Sequence, residues 1–156
     1  MSTPTNAPAS SASPSKGLEG VVAANTRLSD VRGDTGQLIY SGYDINELAG
    51  IVTYEEVVHL LHHNHLPNAR ELADLKATLA GFRDLPKGVI ELITRLPKDC
   101  PPMHALRTGV SALGCYDSTA DDDTMDAQRR KALRLIAQIP VIVAYFHRSR
   151  QGLPLI

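Results

Sequence analysis

From Asp44 onward, apolar residues recur at helical spacing and capping signals separate the runs. Asp44-Ile45-Asn46-Glu47 has the form of a helix start whose cap is answered by an acid three residues on. Gly50 stops that short helix. Thr53-Tyr54-Glu55-Glu56 is a second capping box, and behind it Tyr54, Val57, Val58 and Leu61 fall at i, i+3, i+4 and i+7. Pro67-Asn68 breaks the chain, and Asn68 caps a helix with the stripe Leu72, Leu75, Leu79 and Phe82. Pro86 opens another helix, with Val89, Ile90 and Ile93 inward and Pro97 closing it. Pro101-Pro102 opens the next, with Met103, Leu106, Val110 and Leu113 on one face and the small residues Ala105, Gly109 and Ala112 between them. The last helix runs from about Met125 to Gln151 and is apolar nearly all round between Leu133 and Phe146, which predicts burial on several sides. Pro140 removes one of its hydrogen bonds and is predicted to kink the helix without ending it.

Before Asp44 the period is that of strands. Val21-Val22-Ala23-Ala24-Asn25-Thr26 and Gln37-Leu38-Ile39-Tyr40 flank the turn-rich Arg32-Gly33-Asp34-Thr35-Gly36, which predicts a hairpin that leans on something helical. Residues 1–16, rich in Ser, Thr, Pro and Ala, are predicted to be a disordered tail. That segment has no apolar h-region, and arginine is absent from residues 1–26, so neither a secretory signal nor a transit peptide is expected. The expectation is a mainly α chain: an N-terminal hairpin followed by a bundle of helices.

Composition narrows the function classes. With 43% hydrophobic residues, 21% charged and a formal net charge of -1, the 156-residue chain is an ordinary globular domain without the field needed to hold a nucleic acid. Arg129-Arg130-Lys131-Arg134 and Arg148-Arg150 read as solvated helix faces, the first largely cancelled by Asp121-Asp122-Asp123. No stretch is long and apolar enough to span a membrane. Cys100 and Cys115 stand apart with no CxxC, which excludes a disulfide scaffold and suits a reducing cytoplasm.

Candidate chemistry is sparse. His59, His62, His63 and His65 form the densest cluster, and the four-residue spacing of His59 and His63, with Glu55 a turn before, can present two imidazoles to one ion. No HExxH occurs and no third or fourth ligand stands at motif spacing, so no metal is expected there. Ser111 lacks the strand–turn–helix setting of an elbow nucleophile, and Gly33 and Gly36 form neither a dinucleotide fingerprint nor a P-loop. The Asp121–Asp123 run reads as a cap and a complement to a helix dipole.

Specific strings carry more. Gly17-Leu18-Glu19-Gly20-Val21, the run from Gly36 through Ile45, and Tyr54-Glu55-Glu56-Val57 resemble the start of citrate synthases, above all the shorter form of archaea and many bacteria. Pro102-Met103 followed by Leu106-Arg107-Thr108-Gly109 resembles that family's His-Pro-Met-x-x-Leu-Arg-Thr helix, and Leu135 through Pro140 with Tyr145 and Arg148 resembles its next long helix. Two positions depart: Pro101 stands where the family usually shows histidine, and His104 replaces a commonly small or acidic residue.

The resemblance implies that residues 17–156 are the N-terminal portion of a large helical domain in an acyltransferase. The implied reaction condenses acetyl-CoA with oxaloacetate to citrate and CoA, by general acid–base chemistry with stabilisation of an enolate-like species. It implies no cofactor, acetyl-CoA being a substrate. It implies a homodimer, to which the helices near 102–116 and 126–150 would contribute, the second being too apolar for one small domain to cover. The family's catalytic histidines, aspartate and carboxylate-binding arginines lie beyond the matched region, so no catalytic, cofactor-binding or metal-binding residue is assigned, and His59, His63, His104 and His147 are not substitutes. The chain is then a fragment or a truncated relative. A 2-methylcitrate synthase using propionyl-CoA, and a non-catalytic helical dimerisation partner, are the alternatives.

Overall fold

A computed structural model describes residues 25–156. The expected tail over 1–16 and most of the strand expected over 21–26 lie outside these residues. Asn25 and Thr26 are within them and are not in a strand.

Among the described residues a hairpin forms around the expected turn at 33–36. Strands β1 (Ser29–Arg32), β2 (Gln37–Tyr40) and β3 (Tyr43–Asp44) form an antiparallel sheet in that order. Arg32 faces Gln37 across the loop 33–36, and Tyr40 faces Tyr43. Ser41 and Gly42 both take positive φ, 45° and 93°, the two-residue turn whose twist matches that of the strands. β1 is exposed throughout, so it has no buried side to write an alternating pattern into the sequence.

Six helices follow: α1 (Ile45–Leu48), α2 (Tyr54–His63), α3 (Ala69–Gly81), α4 (Lys87–Thr94), α5 (Pro102–Gly114) and α6 (Met125–Arg150). Asp44, Thr53 and Asn68 cap α1, α2 and α3, each with a reciprocal bond from the acid at the third helical position. Thr124 caps α6, and Asp122 accepts the Thr124 N–H at 2.9 Å, so the aspartate run supports the cap from outside. α6 continues through Pro140.

The core is the packing of α4, α5 and α6, where Leu85, Val89, Ile93, Ala105, Leu113, Ile142 and Phe146 form one buried cluster. Of the stripe expected on α5, Leu113 is in this cluster and Leu106 and Val110 pack half-buried against it, while Met103 does not reach it. Ala105, Gly109 and Leu113 are the buried residues, and Met103 is 69% exposed. A side chain at Gly109 would begin 3.0 Å from Ile142 Cγ2 and 3.3 Å from Ile93 Cδ1, so the small residues let α5 approach its own chain's α4 and α6. On α2 the buried residues are Val58, His59 and Leu60, while Tyr54 is 64% exposed. Three successive buried residues show that more than one side of this helix is covered.

Polar contacts lock α6 in place. The Gln138 side chain donates to the Asp84 carbonyl at 2.9 Å and the Ser149 hydroxyl to the Thr94 carbonyl at 3.2 Å. The basic residues expected on solvated faces are partly engaged. Arg134 pairs with Asp117 at 3.0 Å, and Lys131 donates to the carbonyls of Ala120 and Asp122. Arg148 donates to the Pro154 carbonyl, and Arg150 lies over the Phe146 ring at 5.8 Å. Long basic side chains here close loops and cover apolar surface, which a helical-wheel reading assigns to solvent.

Candidate functional site

The densest group of chemically capable side chains is built by a chain reversal. α2 ends at His63, and Asn64 takes the left-handed conformation at φ 63°, its N–H bonded to the Leu60 carbonyl at 2.7 Å. That turn brings His65 back over the last turn of the helix. Pro67 ends the extended linker, and Asn68 starts α3. The Asn68 side chain accepts from the N–H groups of Arg70 and Glu71, and the Asn68 N–H donates to Glu71 Oε2 at 2.8 Å. The capping box therefore fixes the Glu71 carboxylate beside the returning chain.

The imidazoles are organised by the backbone. Buried His59 uses Nδ1–H to donate to the His65 carbonyl at 3.0 Å, and His65 uses Nδ1–H to donate to the Leu66 carbonyl at 3.0 Å. A carbonyl oxygen only accepts, so Nδ1 of each ring carries a proton, and the tautomer each ring adopts when neutral leaves the Nε2 lone pair free. The His63 ring stacks on His59 with centroids 4.3 Å apart, and His65 stands edge-on to His59 at 5.0 Å. One ring nitrogen from each of His59 and His65 and one carboxylate oxygen of Glu71 all lie within 4.8 Å of one another.

Electrostatics favour the neutral form of His62 and His63 and the charged form of Glu71. Partial burial lowers the pKa of His62, helped by the positive charge of Arg129 and of His59. Burial also lowers that of His63, followed by repulsion from His59, His62 and His65 and from Arg129. Glu71 is held below the usual carboxylate range by the Asn68 N–H, with the nearby imidazoles adding to the effect.

The structure thus groups His59, His63 and His65, and adds Glu71, which spacing alone did not single out. The N-x-x-E signature at Asn68–Glu71 was the available signal for Glu71. His62 is half-buried and stands outside the group, within reach of the charge of Arg129 in α6. His104 and His147 are exposed on α5 and α6 and belong to no such group. Ser111 lies exposed on α5, and Gly36 serves the β1–β2 turn at φ 66°.

A second feature is a groove of about 290 Å³ between α5 and α6, lined by Met103, Leu106, Ile142, Val143, Phe146 and Arg150, among others. Met103 and Val143 are 69% and 50% exposed on it. Among the described residues, no helix is long and apolar enough to cross a membrane.

The mostly helical fold, with its small sheet and α4–α5–α6 packing, superposes on a little over a third of the length of solved citrate synthases. The family described as "Citrate synthase, C-terminal domain" matches residues 17–156. The citrate synthase of Haloferax volcanii is 45% identical over 141 residues, covering 88% of this chain and 37% of that protein. 2-Methylcitrate synthase 2 of Corynebacterium glutamicum is 39% identical over 90% of this chain and 37% of its own length. Among solved structures, citrate synthase from Pyrobaculum aerophilum superposes with a TM-score of 0.80 at 36% identity over 89% of this chain and 37% of that one. The Thermoplasma acidophilum enzyme, in a ternary complex with carboxymethyl coenzyme A and oxaloacetate, gives 0.82 at 25% identity over 90% and 38%. The chain belongs to the citrate synthase family. It spans 37% of the length of these two curated relatives.

Proposed function

We propose that this chain supplies the first helices of a citrate synthase-type condensing enzyme, which joins acetyl-CoA to oxaloacetate to yield citrate and CoA. The observation that carries the reading is the agreement of fold and sequence with named citrate synthases across nearly all of the chain. The assignment to the N-terminal portion rests on the order of the motifs at Gly17–Val21, Gly36–Ile45 and Pro102–Ser111. The matching family is itself described by its C-terminal domain, and motif order is the more direct guide to position. A 2-methylcitrate synthase working on propionyl-CoA is the second reading, favoured by the C. glutamicum relative. Free Cys100 and Cys115 suit a reducing cytoplasm for either.

Release of free thiol on mixing with oxaloacetate and each acyl-CoA tests the proposal. The 156-residue chain alone is expected to show no turnover above the blank, because no described residue is assigned to the condensation. A longer protein that begins with this chain is expected to turn over acetyl-CoA, and faster turnover of propionyl-CoA would move the assignment to the second reading. Failure of the longer protein with both acyl-CoAs would overturn the proposal.

We also propose that α5 and α6 form a homodimer interface. The support is the exposed apolar pair Met103 and Val143 flanking the groove between them. Val110 packs against the core, so a charge there unfolds the chain as well as separating it. Val143→Asp is the cleaner probe, because a charge on a half-exposed residue costs the fold little and the interface much. Light scattering at fixed concentration is expected to show a dimer that Val143→Asp converts to monomer with unchanged helicity. A wild-type monomer throughout a micromolar dilution series would refute the interface.

A further inference from the structure

We infer that His59, His65 and Glu71 form a binding site for one divalent transition-metal ion of the zinc class. It would clamp the end of α2 to the start of α3.

The inference stands on three independent pieces of geometry. First, the three donor atoms already converge within 4.8 Å. Ligands at 2.0–2.1 Å around a tetrahedral ion are roughly 3.3 Å apart, so small rotations of exposed His65, half-buried Glu71 and the buried His59 ring close the site. Second, the tautomers are set in advance. His59 and His65 each commit Nδ1–H to a backbone carbonyl, at 3.0 Å in both cases, and a second-shell bond of this kind aims the Nε2 lone pair at a metal. Third, Glu71 is anchored through Oε2 by the Asn68 N–H, which leaves its other oxygen to serve as the anionic ligand.

The chemistry of the donor set selects the ion. Two imidazoles and one carboxylate suit zinc, cobalt or nickel, and are too rich in nitrogen for calcium or magnesium. Three protein ligands leave one position to water. The earlier expectation of no metal rested on the lack of an organised third ligand beyond His59 and His63. The reversal at Asn64 and the capping box at Asn68 supply it. These ligands connect three consecutive segments, so the ion would brace a helical hairpin, apart from the α4–α5–α6 core.

The test uses the full 156-residue chain purified without a histidine tag and titrated with zinc and with cobalt. One equivalent is expected to bind with a dissociation constant below about 1 μM. The cobalt form is expected to show the intense visible bands of a four-coordinate site, and zinc is expected to raise the thermal midpoint. His65→Gln and Glu71→Gln lie at accessible positions, and glutamine keeps the capping role of Glu71. Each is expected to weaken binding at least roughly tenfold, with helicity unchanged by circular dichroism, and to abolish the thermal shift. His62→Gln, outside the three converging donors, is expected to leave affinity within about twofold, as a non-ligand should. The inference is overturned if binding is weak or takes several equivalents, if Glu71→Gln binds as wild type, or if His62→Gln loses as much as His65→Gln. Any of these would mark non-specific capture by exposed imidazoles.

Discussion

Ile142→Ala is expected to cost about 2–5 kcal/mol of folding stability. Ile142 is fully buried, at the centre of the cluster that joins Val89 and Ile93 of α4, Ala105 and Leu113 of α5, and Phe146 of α6. Truncation removes three carbons from a site packed between α4 and α5, where Gly109 of α5 comes close, so collapse into the vacancy is limited. The whole domain has on the order of 5–15 kcal/mol to lose, and this single change takes a large share of it. Denaturant titration at fixed protein concentration measures the effect, the fixed concentration removing any contribution from association. A loss below about 1 kcal/mol would show that the three-helix packing is loose at its centre.

The opposite change, addition of volume at the same contact, is expected to be nearly as damaging. Gly109→Val places a Cβ 3.0 Å from Ile142 Cγ2 and 3.3 Å from Ile93 Cδ1, and then adds two further carbons. Both neighbours are fully buried and have nowhere to move, so α5 must shift off α4 and α6. Overpacking of this kind costs about 1–3 kcal/mol, which outweighs the fraction of a kcal/mol a helix gains when glycine leaves it. Gly114→Ala is the internal control. It lies in the last turn of the same helix with nothing within 4 Å of the new Cβ, and it is expected to be neutral or slightly stabilising. Thermal midpoints of the two variants should therefore move apart. A Gly109→Val midpoint equal to that of Gly114→Ala would show that the close approach of α5 is not real.

These two residues also mark the boundary between local and tertiary information. What the sequence determined by itself is what residues two to four positions apart decide together. Asp44, Thr53 and Asn68 announce helix starts because a cap and its answering acid are three residues apart, and both partners are visible in the string. The breaks at Pro67, Pro86 and Pro101 and the continuation of α6 through Pro140 are equally local. The ordered strings at Gly36–Ile45 and Pro102–Ser111 were enough to point to the citrate synthase family.

The tertiary structure alone decided which side of each helix is inside. Of the expected Met103–Leu106–Val110–Leu113 stripe on α5, Leu113 is buried and Leu106 and Val110 pack half-buried against the core, but Met103 is exposed and the small Ala105 and Gly109 are fully inside. Burial depends on what arrives opposite, and small residues are buried where another helix comes close enough to touch backbone. β1 at Ser29–Arg32 was not legible in the sequence because an exposed strand is set by its partner's register and its turn, not by its own pattern. The grouping of His59 and His65 with Glu71 likewise needed a left-handed residue at Asn64 to fold the chain back. Spacing along one helix axis cannot express that reversal, because the ligands meet across it.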